Sequence, residues 1–286
     1  MADSIFHSEL TGANLHVPGY MQDIDPGAIG AGKYWIDTSQ GSGKWILKVR
    51  NADNTDWEIA SARSEFLAQG YNCVLDMPFE EGVGIATRDF SGFGNTGTIT
   101  GATWTTGKSG NALSFDGVDD YITVPDSGGW HFGANDFAIT FWVNFSSFSN
   151  DIDDGFHTFI FQDNAGTISF QMDYKYSTNE LRFIVYSGGA ATIKAESWSP
   201  SLSTWYFLSF VRESNYLHTY VDATELGTGT SYASTLDDPT GVLTIGAKLD
   251  TSTSTLDREF NGTIDELLIF NKALSATEVS NLYNSY

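Results

Sequence analysis

From Asn72 onward the chain consists of short runs rich in β-branched and aromatic residues, each closed by Gly, Asn, Asp or Pro. Such runs are too short and too β-branched for helices, so they predict an antiparallel sheet protein. The clearest strands are "NALSF" (111–115), "DYITV" (120–124), "FAITFWVNF" (137–145), "HTFIFQ" (157–162), "TISFQMDY" (167–174), "ELRFIVYS" (180–187), "WYFLSFVRE" (205–213), "YLHTYVDA" (216–223), "VLTIGA" (242–247) and "TIDELLIF" (263–270). That many strands in one stretch predict an all-β, two-sheet antiparallel jelly-roll sandwich. In "FAITFWVNF" the large apolar residues Phe137, Ile139, Phe141, Val143 and Phe145 take alternate positions and define one face. Trp142 and Trp205 are assigned to the core, as strand aromatics usually are.

One helix is predicted, near the end. In "ALSATEVSNLY", Ser275 and Glu278 have capping-box spacing, and Val279 and Leu282 make an apolar stripe.

The first 71 residues read differently. Residues 1–30 carry Gly, Pro and Asp at short intervals without a period and are expected to form an extended arm. Residues 31–71 hold three strand candidates, "KYWID" (33–37), "KWILKVR" (44–50) and "DWEIA" (56–60), which suggest a small β module. So short a module buries too little surface to stand alone, so it is expected to assemble with other copies or another protein. The three expected parts are therefore an arm (1–30), the module (31–71) and the sandwich (72–286).

Composition excludes several functions. Thirty-six acidic residues against 14 basic ones give a formal charge of −22, a field that repels nucleic acid and anionic membranes. Cys73 is the single cysteine, so neither an intrachain disulfide nor a thiolate zinc cluster is available. The N-terminal residues lack a basic and an apolar region, and no apolar run is long enough for a membrane span, so synthesis in a cytosol without a cleaved signal is expected.

Motifs of catalysis are also missing. "GAIGAGKY" puts Tyr34 where a phosphate-binding loop needs a hydroxyl beside its lysine, and "GATWTTGKS" has one residue too many before Lys108 and Ser109. His7, His16, His131, His157 and His218 show no zinc spacing. The acidic loop "NDIDDG" (150–155) fails the register of a calcium-binding helix–loop–helix. In "FDGVDDYITVPDS" (115–127), Asp116-Gly117 reads as a hairpin turn. Asp119 and Asp120, read as strand neighbours, are expected to face opposite ways, and Asp126 to lie in the exit loop.

Four segments resemble the laminin-G-like, concanavalin-A-like jelly-roll family: Leu75 to Ser127, with "DFSGFGNTG" and "LSFDGVDDYITV"; "FAITFWVNF"; "WYFLSFVRESNYLHTYVDATELGTG"; and "FNGTIDELLIFNKALSATEV" (260–279). The resemblance implies a sandwich that binds glycans or protein partners and, in many members, one structural calcium ion. In similar domains an Asp of the glycine-rich loop and an Asp of the last strand share that ion; here these positions are Asp89 and Asp265. Asn95 and the carbonyls of Gly92 and Gly97 would complete the shell, the alternative being a metal-free hydrogen-bonded corner. Members that cleave glycans carry paired acids on one strand face, E-x-D-x-x-E or E-x-D-x-E, and no such strand occurs here. The expectation is therefore a protein that is not an enzyme, with a lyase as the remaining catalytic alternative. Trp130, Tyr174, Tyr176 and Trp198, in or beside loops, are candidates for stacking on sugar rings.

The N-terminal part, "HSELTGANLHVPG" followed by "GAGKYWIDTS" and "ILKVRNADNTDWEIA", resembles the leaders of phage virion structural proteins. That resemblance implies a capsid decoration or head-fibre protein, or a tail fibre, on the virion surface. Its partners would be other virion proteins, bound through the N-terminal part, and surface glycans, in a homo-oligomer for which a trimer is expected. A spacer module without ligand and a polysaccharide-degrading enzyme are the rival functions.

Overall fold

The computed structural model describes residues 72–148 and 155–286 in full, together with the backbone of four strands before them. The chain divides into two compact units, one of Met1–Tyr71 with Ser285–Tyr286 and one of Asn72–Asn284. In the first unit β1 (Gly19–Gln22), β2 (Tyr34–Asp37), β3 (Ile46–Arg50) and β4 (Trp57–Ile59) form one sheet in that order. The three expected module strands are present, and a further one, β1, pairs with β2 in parallel within what reads as an arm. The rest of the expected arm and module, and the loop 150–155 up to Asp154, lie outside the described residues.

The second unit is the expected two-sheet sandwich. Its strands are β5 (Cys73–Met77), β6 (Ala86–Thr87), β7 (Gly97–Thr100), β8 (Thr103–Thr106), β9 (Asn111–Asp116), β10 (Tyr121–Val124), β11 (Phe137–Phe145), β12 (Phe156–Asn164), β13 (Thr167–Lys175), β14 (Glu180–Ser187), β15 (Ala190–Ser197), β16 (Trp205–Glu213), β17 (Tyr216–Val221), β18 (Thr224–Glu225), β19 (Thr230–Ser231), β20 (Leu243–Ile245), β21 (Lys248–Asp250), β22 (Thr255–Asp257) and β23 (Asn261–Phe270). One sheet runs β15-β14-β13-β12-β20-β10-β7-β6. The other runs β18-β17-β16-β11-β23-β9-β8, with β5 on β23 and β19 on β17.

The core lies between the sheets, where the alternate residues Phe137, Ile139, Phe141, Val143 and Phe145 of β11 meet Phe159, Phe170, Met172 and Phe183. Phe141 and Phe159 approach to 5.5 Å, and Phe137 meets Phe183 edge-on at 5.9 Å. β11 is central in its sheet and is buried on its outer face too, because the C-terminal helix (Ala276–Tyr283) lies there: Trp142 stacks on Tyr283 at 5.5 Å. The predicted capping box is present, Ser275 Oγ accepting the Glu278 N–H while Glu278 accepts the Ser275 N–H. Trp205, expected in the core, is only half-buried, since it opens β16 at the sheet margin.

Two features position the site. Alternation along β13 sends Phe170, Met172 and Tyr174 into the core and Gln171, Asp173 and Lys175 to the opposite face. Along β14, Leu181, Phe183 and Val185 point inward and Arg182, Ile184 and Tyr186 outward, with Asp173 paired to Arg182 across the strands. Over that outer face folds the β21–β22 hairpin, tied down by Thr251, whose N–H and hydroxyl both donate to Asp163 Oδ2 at 3.2 and 3.0 Å. The hairpin exits at Arg258, whose carbonyl accepts the Thr158 N–H at 2.9 Å.

Candidate functional site

The acidic stretch 116–120 is a corner between sheets. β9 pairs with β8 and β23 in one sheet, whereas β10 pairs with β7 and β20 in the other. The expected hairpin at Asp116-Gly117 is thus corrected. Side chains make the turn: Asp116 Oδ1 accepts the Val118 N–H at 2.8 Å, Asp120 Oδ2 accepts the Asp116 N–H at 2.8 Å, and Gly117 supplies a φ of +78°. Asp119 and Asp120 lie in this turn and not in a strand, so strand alternation does not separate them. Carboxylate oxygens of Asp116, Asp119 and Asp120 come within 4.8 Å of one another, and the three could hold a metal ion. Asp120 is buried, and its pKa is raised, chiefly by that burial; the Asp116 N–H opposes the rise and the charges of Asp116 and Asp119 add to it.

Asp89 and Asp265 serve other loops. Asp89 Oδ1 accepts the N–H groups of Asp76 (3.0 Å) and Ser91 (2.8 Å), and Oδ2 accepts that of Asn95 (2.9 Å). The glycine-rich loop therefore turns amide N–H groups toward this carboxylate, where a calcium shell requires carbonyl oxygens. Asn95 directs its side-chain amide to the Val74 carbonyl at 3.0 Å. Gly92 takes a left-handed φ of +93° in the exposed loop, whereas Gly97 is buried in β7 opposite Thr87. Asp265, fully buried, accepts the N–H groups of Lys108 (2.8 Å) and Ser109 (3.1 Å) with Oδ2. The segment that imitates a phosphate loop in sequence thus holds a carboxylate of its own chain.

The four aromatic candidates divide. Trp130 and Tyr174 are each 1% exposed and present no face to a ligand. Trp130 is the last residue of a one-turn 3-10 helix that turns it inward, and Tyr174 occupies a core-facing position of β13. Trp198 is half-buried, edge-on to Tyr206 at 5.1 Å and to Tyr174 at 5.6 Å. Tyr176 is 47% exposed and lies parallel to Phe148 at 5.0 Å, an arrangement that leaves aromatic surface open to solvent.

Beside this platform lies a cluster that sequence reading missed. Gly155 accepts the Tyr176 N–H at 2.8 Å and lies against that side chain, a Cβ on it falling 3.1 Å from Tyr176 Cβ and 3.6 Å from the ring carbon Cδ1. The next residue, Phe156, is opposite Lys175 in the β12–β13 register. Three cations gather on the Phe156 ring: Arg258 Cζ at 4.2 Å, Arg182 Cζ at 4.5 Å and Lys175 Nζ at 5.0 Å from its centroid. Buried Asp173 holds Arg182 through both Nε and Nη2 at 2.5 Å, and Gln171 donates to the same carboxylate. Tyr186 lies within the field of this group; burial raises its pKa, and Arg258 and Arg182 oppose the rise. No short motif announces residues 156, 175, 182 and 258, because four separate strand ends and turns supply them.

The family model of the concanavalin A-like lectin/glucanases superfamily matches residues 116–280, from the acidic corner into the C-terminal helix. The chain belongs to that superfamily. No curated protein matches it. Among solved structures, the binding domain of Paraclostridial Mosquitocidal Protein 1 is similar at 18% identity and a TM-score of 0.61, over 75% of this chain and 52% of that one. Domain 4 of AbnA, a GH43 extracellular arabinanase from Geobacillus stearothermophilus, solved with arabinotriose, is similar at 20% identity and a TM-score of 0.57, over 74% of this chain and 98% of that domain. A botulinum neurotoxin type C structure, whose cell entry depends on two ganglioside molecules, is similar at 14% identity and a TM-score of 0.58, over 75% and 51%. The chain spans about half the length of the mosquitocidal and neurotoxin chains. At these identities the likeness is one of fold.

On this concanavalin A-like sandwich, the Tyr176 and Phe148 platform offers apolar stacking surface, the Phe156 cluster offers fixed cations, and the acidic corner offers oxygen donors. The first two adjoin through Gly155 and Phe156.

Proposed function

We propose that this superfamily member is a non-catalytic virion surface protein, a capsid decoration or head-fibre protein of a phage, whose sandwich attaches weakly to surface glycans. The exposed Tyr176 ring, supported from one side by Phe148, carries the glycan reading. Stacking of this kind suits the apolar face of a sugar ring. The fold is shared with a domain solved with arabinotriose and with a toxin whose cell entry depends on gangliosides, which supports the same reading. The virion setting rests on the "WIDTS" and "KVRN" segments of the N-terminal part, through which the chain would join other virion proteins. A trimer would multiply weak sites through avidity.

A metal ion in this protein would sit at Asp116, Asp119 and Asp120, and an all-oxygen carboxylate set suits calcium. There it would brace the crossing from one sheet to the other.

The decisive experiment is a glycan array followed by titration calorimetry on the full chain and on Tyr176→Ala. Saturable binding that Tyr176→Ala weakens at an unchanged melting temperature supports attachment. Binding to no glycan would favour the rival spacer module, and shortening of a polysaccharide by the purified protein would overturn the non-catalytic reading. Immunogold labelling of virions tests the location, and mass photometry the trimer.

A further inference from the structure

We infer that the Phe156 cluster beside the platform selects glycans carrying a carboxylate, as sialic and uronic acids do. The inference rests on the glycan-binding reading above and names its ligand class.

Charge distribution is the first argument. The chain has only 14 Lys and Arg against 36 Asp and Glu, yet three of those cations converge on one ring. A diffuse negative surface repels an acidic sugar, but at physiological salt that repulsion fades over roughly 8 Å, and the local group decides. Among the described residues, the acids placed against these cations are Asp173, which binds Arg182, Asp257, whose Oδ2 lies 3.6 Å from Arg258 Nε, and Glu180, paired with Lys175 in the strand register; Asp151, Asp153 and Asp154, which precede Gly155 in the chain, lie outside the described residues. Asp173, Asp257 and Glu180 form no ion pair with Lys175, which has no such partner among the described residues.

Preorganisation is the second. Asp173 is wholly buried and fixes the Arg182 guanidinium by two parallel bonds, leaving Nη1 outside that pair. A guanidinium already held in place can donate its remaining N–H at Nη1 to a ligand carboxylate with little loss of side-chain freedom. Arg258 is presented from a left-handed backbone, φ +59°, which costs a bulky L residue conformational energy and aims its side chain back over Phe156. Asp173 is thus a positioning residue, and Lys175, Arg182 and Arg258 are the binding ones.

Proximity is the third. Lys175 and Tyr176 are consecutive, and Phe156 follows the glycine that lies against the Tyr176 side chain. The platform and the cations are thus joined along the backbone, and an oligosaccharide stacked on Tyr176 would reach the cations through a further sugar residue.

The test measures binding of a neutral oligosaccharide, its sialylated or uronic acid counterpart, the methyl ester of that acid, and a sulfated analogue. Wild-type protein, Lys175→Met, Arg258→Gln and Tyr176→Ala are compared, each with its urea midpoint as a folding control. The acid should bind about tenfold more tightly than the neutral sugar or the ester. Lys175→Met and Arg258→Gln should each erase most of that difference, and 500 mM NaCl should reduce it. Tyr176→Ala should weaken the acidic and neutral sugars alike. Equal affinity for acid and ester, or a sulfated sugar bound as tightly as the carboxylate, would overturn the carboxylate assignment and leave glycan attachment standing. Absence of binding to all four would overturn the glycan reading itself.

Discussion

The Asp265 carboxylate accepts the backbone N–H of Lys108 at 2.8 Å, joining a turn and a strand 157 residues apart in the chain. Ser109 donates to the same oxygen, and Gly107 leaves space for it, since a Cβ there would lie 2.4 Å from Asp265 Oδ2 and 2.7 Å from the Asn111 carbonyl. Asp265→Ala removes an acceptor from two amides and should lower stability by about 2–3 kcal/mol. Gly107→Ala should cost about 1–3 kcal/mol by overpacking the same place. Urea denaturation measures both, and a loss below about 0.5 kcal/mol for either would show that the turn is not held this way.

His157 introduces a pH dependence. It is fully buried with Nε2 3.3 Å from the Phe148 carbonyl, and burial lowers its pKa from 6.5 to about 4. Between those values the unfolded chain binds a proton that the native one refuses, so stability is complete above about pH 6.5 and falls as pH drops toward 4. The loss attributable to this side chain is on the order of 3 kcal/mol. Substitution by Gln should flatten the urea midpoint over that window, and an unaltered slope would contradict the assignment.

Asp120 acts in the opposite sense. Its raised pKa means that the native state holds the proton more tightly than the unfolded one, so its favourable contribution is present below the ordinary carboxylate value and is lost as pH rises through the raised one. At neutral pH Asp120→Asn should therefore stabilise the metal-free protein, the amide oxygen still accepting the Asp116 N–H. Calcium should raise the melting temperature of the wild-type protein in a concentration-dependent way, and Asp119→Ala should abolish that rise. A wild-type melting temperature indifferent to both calcium and chelator would remove the metal from the corner.

Ser275 caps the helix that covers Trp142. Loss of its hydroxyl in Ser275→Ala removes half of a reciprocal cap and should cost about 1 kcal/mol. Trp142 fluorescence should redshift earlier in a denaturant series if the helix loosens first. Coincident transitions would instead assign helix and sheets to one cooperative unit.

The sequence alone determined ten strands of the sandwich, the two-sheet architecture and the helix with its cap, whereas β5 to β8, β15, β18, β19, β21 and β22 were not read from it. The elements it determined depend on periods of two and on S-x-x-E spacing, which are local properties that alternation and capping impose within a few residues. Tertiary structure decided the rest. Trp130 and Tyr174 look like loop aromatics in the chain and are core residues in the fold, because a short 3-10 turn and the strand register aim them inward. The aspartates of 116–120 read as divergent strand neighbours, and a corner between sheets draws them together. Phe156, Lys175, Arg182 and Arg258 meet only once β12, β13, β14 and the exit of the β21–β22 hairpin are in register. A side chain's partners across a sheet are set by which strands adjoin, and no local rule of spacing carries that information.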